Sequence, residues 1–263
     1  MRRHFSLLSE YFLQYSKVWL GYRGDFLISV ITTVVATLFG IAVVWLIFGR
    51  VPRVHGWSFY EILFLYGFAL LPMSLFNMLS INLYYFGQNY IVEGRFDRVL
   101  LRPLHSLFQI LFEQFRLEAL GDLALGIFLI IVCAGKLGLT LGLSGWLFIA
   151  FAAVCGFTLY MAVFLMLSSV SFWVEDRVGI IPPVYNMLTF GRYPLDIYNP
   201  FVQFFLSWIV PFGFATFYPT ASLLRADAYR LHAWLLPAVT AAFVALALLV
   251  WNRGVRNYSS TGS

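Results

Sequence analysis

Residues 26–48, FLISVITTVVATLFGIAVVWLIF, run for 23 positions without a charge. At about 1.5 Å per residue, a helix of that length crosses a hydrocarbon core of about 30 Å, where each backbone N–H and C=O must be paired inside the segment. Helices in soluble cores need no such length, so this run places the chain in a bilayer. The composition agrees: of 263 residues, 61% are hydrophobic and 11% charged, a balance foreign to soluble domains.

Further apolar stretches predict spans over 59–80, 108–135, 146–173 and 231–252. The second runs on into INLYYFGQNYIV, whose Tyr, Asn and Gln suit an interface. The third carries Glu113, Arg116, Glu118 and Asp122 in its first half, and each charge costs about 2.5–3.5 kcal/mol at a bilayer centre. They are expected at the membrane edge, with Glu113 paired to Arg116 three residues on; the competing reading turns them onto a cavity. Glu61, one turn into the second span, is expected to snorkel to the outer interface.

Two more segments, 178–190 and 199–217, compete for one crossing. With six crossings, 11 of the 17 Lys and Arg fall on the side of both termini, which the positive-inside tendency makes cytoplasmic. Ahead of the first span, residues 1–24 place Phe5, Leu8, Phe12, Tyr15, Trp19 and Tyr22 on one helical face. This segment is expected to lie on the cytoplasmic surface as an amphipathic helix. Glu10 and Lys17 interrupt any signal-peptide core, so it is expected to stay in the mature chain.

Chemistry-bearing motifs are absent from the sequence. There is no G-x-x-x-x-G-K-[ST] loop for a nucleotide phosphate, since Gly135-Lys136 is followed by leucine, and no G-x-S-x-G or H-E-x-x-H. His4, His55, His105 and His232 are scattered, and Cys133 and Cys155 sit in apolar runs as packing residues. No enzyme activity and no metal site is therefore expected of this chain. The +5 charge flanks the membrane segments and forms no tract for nucleic acid.

One segment, 93–103, concentrates Glu93, Arg95, Asp97, Arg98 and Arg102, and Gly94 and Pro103 bracket its RFDRVLLR stretch. It reads either as a basic interfacial loop or as a short cytoplasmic helix that docks into a partner's groove.

Three stretches, VEGRFDRVLLRPLHSLFQIL (92–111), YPLDIYNPFVQFFLSWIVPFGFATFYPTASLL (193–224) and WNRGVRNYSSTG (251–262), together resemble the ABC type-2 permease family. More narrowly, they resemble its bacterial subgroup in which two different permease chains pair with a separate ATPase. The resemblance implies an all-α protein of six transmembrane helices with the amphipathic helix at the N-terminus. It also implies a coupling segment over 93–103, a short fifth span over 177–191 and an outer re-entrant element over 199–217, where Pro200 and Pro211 suit broken helices.

The same resemblance implies an exporter subunit of the bacterial inner membrane, surrounded by membrane lipids. Its partners would be a cytoplasmic ATPase dimer, which binds ATP and Mg, and a second permease, identical or homologous. Glu93, Arg95, Phe96, Asp97, Arg98, Arg102 and Pro103 would meet the ATPase. Asn77 and Asn82 on span two, with Tyr185 and Asn186 on span five, would line the substrate path. The rival readings are an ion-gradient transporter, for which spans one, four and six lack ionisable groups, and a non-transporting scaffold.

Overall fold

The computed structural model describes residues 23–174 and 179–259; the interfacial helix expected over 1–24 lies, apart from its last two residues, outside them. Among the described residues the chain is predominantly helical, with no β-strand. Five helices are long and apolar enough to cross a membrane: Gly24–Phe48, Phe59–Leu79, Leu117–Lys136, Leu143–Phe172 and Ala228–Asn257. This is an all-α, multi-pass membrane protein.

The first helix, α1 (Arg23–Phe48), is the least covered, with 11% of its most apolar window buried. Its polar residues survive there because Thr32 and Thr33 turn their hydroxyls back onto the Ile28 and Ser29 carbonyls, at 2.8 and 2.9 Å. By contrast α2 (Phe59–Leu79) is the core, with 72% of its window buried. It starts on a capping box in which Ser58 Oγ accepts from the Glu61 amide and the Glu61 carboxylate accepts from the Ser58 amide. Glu61 is thus a cap that also pairs with Arg225 at 3.4 Å, rather than a snorkelling side chain.

Beyond Leu79 the chain breaks into short turns. Gly94 adopts φ +67°, a left-handed conformation that glycine takes without strain, and launches α3 (Arg95–Leu100). Next comes α4 (Ser106–Phe112), then a break in which the Arg116 amide donates to the Met78 carbonyl at 3.1 Å, and then α5 (Leu120–Lys136). The single helix expected over 108–135 is therefore two. The charged residues explain it: leaving the helix lets Glu113 accept from the Tyr90 hydroxyl and lets Arg116 reach Glu118, at 3.8 Å. The Glu113–Arg116 pair expected from helical spacing does not form.

Two glycines let α5 cross α2 closely: a Cβ on Gly126 would fall 2.7 Å from the Gly67 carbonyl, and one on Gly67 2.8 Å from Leu129 Cβ. Small residues at such crossings are what brings helices together in lipid, where apolar burial supplies little drive. A fourth long helix, α6 (Leu143–Ser169), packs on α2 through Phe76 and Phe164, whose centroids lie 4.7 Å apart.

Among its described residues, the segment expected as a fifth span, 177–191, holds a seven-residue α-helix, α7 (Ile181–Met187), and a 3-10 extension to Arg192. Together they are about 20 Å long. Pro182 and Pro183 occupy the first turn, where a missing N–H costs little. The segment runs antiparallel to α2: Tyr185 reaches Asn77, Arg192 reaches Tyr66, and Trp57 reaches Asp196.

A bent pair follows, Pro200–Ile209 and Gly213–Leu224, broken by 81°. Its α-helical parts are α8 (Pro200–Phe204) and α9 (Tyr218–Leu224). Trp57 holds both flanks: its indole N–H donates to Asp196 at 3.2 Å, and the Arg225 guanidinium lies 3.7 Å from its ring centroid. The pair therefore enters and leaves the bundle at the same end. The last helix, α10 (Ala226–Asn257), returns along α6 to bury Trp251 beside α3.

Candidate functional site

Two arrangements collect the polar residues of this apolar chain. The first is a groove of about 370 Å³ among α1, α2, the start of α5, and α7 with its extension. Tyr185 donates to Asn77 Oδ1 at 2.9 Å in its wall. Thr37, on α1, donates to Asp122 Oδ1 at 2.7 Å, and its carbonyl accepts from the Tyr66 hydroxyl at 3.3 Å. Arg192 donates to Tyr66 Oη at 3.0 Å and to Met73 Sδ at 3.3 Å, with its charge 5.2 Å from the Tyr66 ring centroid. Arg116 and Glu118 complete the lining as an ion pair.

Arg116 and Glu118, ahead of α5, and Asp122, in its first turn, thus line this groove, while Glu113 turns away to Tyr90. Of the four residues expected on the path, Asn77 and Tyr185 line the groove. Asn82 does not: it is buried, and its amide donates to the Ile110 carbonyl at 2.9 Å, tying the turn after α2 to α4. Asn186 is exposed and not part of the lining, because α7 turns it away from Tyr185. Arg192 and the threonines of α1 had no signal of their own in the sequence, since only the packing of α1 and α7 onto α2 brings them together.

The second arrangement is the turn around α3. Phe96 was expected at a partner contact, yet it is 0% exposed. Its ring stands edge-on to Phe86, Phe172, Trp251 and Tyr258, with centroids 4.9–6.2 Å away. A short helix with one large aromatic gains most by burying it, so Phe96 is an anchor in its own chain. Asp97 faces the same way, accepting from the Tyr258 hydroxyl at 3.0 Å. Burial, with the Asp97 carboxylate beside it, pushes the Tyr258 phenol up to about 12.

From below, Gln109 staples the turn by donating to the Val99 and Leu104 carbonyls, both at 3.0 Å. What remains outward is Glu93, Arg95, Arg98, Leu100, Leu101, Arg102 and Pro103. Glu93 and Arg95 pair at 2.8 Å. Arg95, Arg98 and Arg102 border a small hollow with Tyr90 and Glu113. Leu101 is 84% exposed in the middle of these charges, a large apolar side chain that charge density in the sequence does not single out.

Among the described residues no group of three or more His, Cys, Asp or Glu is placed to hold a metal ion. A model of the ABC-2 family transporter proteins matches residues 31–262, which takes in both arrangements. No characterised protein and no solved structure matches the chain significantly.

Proposed function

We proceed from the fact that this chain belongs to the ABC-2 transporter family, and we propose that it is half of an export pathway driven by a separate ATPase docked on α3. As a family member it is a membrane component of ABC transport that works with an ATPase. The finer reading gives each arrangement a task. The turn of α3 receives the ATPase and the groove carries cargo.

The observation that carries this reading is the division of α3 into two faces. Arg95, Arg98, Leu101 and Arg102 point outward, while Phe96 is locked on Trp251 and Phe172. A push on the outer face therefore moves the ends of α6 and α10 directly, because close-packed aromatics transmit displacement rather than absorb it. ATP and Mg would bind in the ATPase dimer, and its closure would be felt here. Glu93 and Pro103 flank the contact, with Phe96 and Asp97 as its inner anchor.

In this reading α3 and both termini are cytoplasmic, in the inner membrane of a bacterium, and the Trp57 end is external. Residues 199–217 then form a re-entrant element at the outer surface, supported by the return of the bent pair to Trp57. The nearly bare α1 would pack on a second permease, closing the groove between two halves. Asn77, Tyr185, Arg192 and Asp122 would line the path.

The test is capture of the ATPase by the full chain carrying Arg95, Arg98 and Arg102 reversed to Glu. Loss of both capture and permease-stimulated ATP turnover is expected. Retention of both overturns the docking assignment.

A further inference from the structure

A larger cavity lies apart from both arrangements, against α6 and α10. It measures about 440 Å³ and is walled by Phe148 and Phe151 of α6 and by Ala233, Trp234 and Pro237 of α10, with Ser222 and Arg230 as its polar groups. Such a volume is in the range of about 300–1,000 Å³ typical of ligand sites. Arg230 is about 6 Å along α10 from its start and Pro237 about 17 Å, so the cation sits at the membrane edge and the apolar wall runs inward. Arg230 has no hydrogen-bond or ion-pair partner among the described residues. Trp234 and Leu231, 74% and 70% exposed, continue the rim into the hydrocarbon-facing surface.

We propose that this cavity is a resident site for an anionic phospholipid, its phosphate on Arg230 and one acyl chain along Phe148, Phe151, Ala233 and Pro237. Charge complementarity selects this occupant. A guanidinium presents paired donors that match phosphate oxygens, and a cation at the end of an apolar slot fits a ligand with one charged end. A packed helix from another protein would cover Arg230 and leave its charge unmatched, at a desolvation cost. The site opens sideways to lipid, so its ligand arrives from the membrane.

The experiment extracts the full chain in mild detergent and counts co-purifying lipid by native mass spectrometry. The unaltered chain should retain an anionic phospholipid. Arg230→Gln, at an exposed position, should lower that retention about tenfold, as expected for losing a charge-assisted pair. Ala233→Trp, which fills the slot, should remove anionic and neutral lipid alike. A short-chain phosphatidylglycerol should raise the melting temperature of the unaltered chain and not of Arg230→Gln, while inorganic phosphate should raise neither. Equal anionic-lipid retention by Arg230→Gln, an equal shift with phosphate alone, or a stoichiometric protein on this face would each overturn the assignment.

Discussion

Tyr258 donates its hydroxyl to Asp97 Oδ1 at 3.0 Å, joining residues 161 positions apart at one end of the bundle. The same tyrosine ring stands on Phe96, 4.9 Å between centroids. One residue just past α10 therefore holds both the polar and the apolar side of α3.

Tyr258→Phe keeps the ring and removes the hydroxyl, so it separates these two grips. A loss of about 1 kcal/mol is expected, read as a lower melting temperature in detergent, with transport per ATP falling more than ATP turnover. The phenol is raised from 10 to about 12 in the fold, so its neutral form is favoured there. Its contribution is complete below pH 10 and disappears as pH climbs through 12. The difference between Tyr258→Phe and the unaltered chain should accordingly be flat from pH 6 to 9.

Phe96 and Leu101 make opposite predictions. Phe96→Ala empties a fully buried site and should cost about 3–5 kcal/mol. Leu101→Ala should leave stability within about 0.5 kcal/mol and weaken ATPase capture. Reversal of that pattern in paired melting and pull-down measurements would remove α3 from the docking role.

Gly126→Ala should separate α2 from α5, since the added methyl meets backbone, which cannot rotate aside. A cost of about 1–3 kcal/mol is expected, checked by thermal unfolding. Disulfide trapping between cysteines placed on the two helices would report the wider spacing independently.

Asn82 and Tyr185, alike as polar residues in apolar surroundings, should diverge on mutation. Asn82→Ala orphans the buried Ile110 carbonyl and should cost about 1–3 kcal/mol, with transport falling only as far as folded protein does. Tyr185→Phe frees Asn77 in the groove wall. It should alter cargo transport in reconstituted vesicles at unchanged melting temperature.

The candidate groove was half legible. The resemblance pointed to polar residues of spans two and five, and so to Asn77 and Tyr185, but it equally marked Asn82, whose partner is a carbonyl 28 residues away. Which of two such residues lines a space depends on the side of the helix left uncovered, and α2 has neighbours on nearly every side. Charge density likewise marked 93–103 without revealing that Phe96 and Asp97 face inward. Six residues of helix have no periodicity long enough to show which face will be buried.

What the amino-acid sequence determined by itself is the solvent: runs such as 26–48 belong in hydrocarbon, and hydrocarbon admits helices whose backbone bonds close locally. That requirement acts residue by residue, so the membrane class and the long spans follow from composition in order along the chain, whereas the roles of 178–190 and 199–217 do not. Tertiary structure alone decided the break between α4 and α5, the return of residues 200–224 to Trp57, and the inward turn of Phe96. Each rests on a partner far away in the chain, such as Met78 for Arg116, Trp57 for Asp196 and Arg225, and Trp251 for Phe96. Contacts of that kind are set by which helices meet and where glycine lets them approach, which no local window of residues contains.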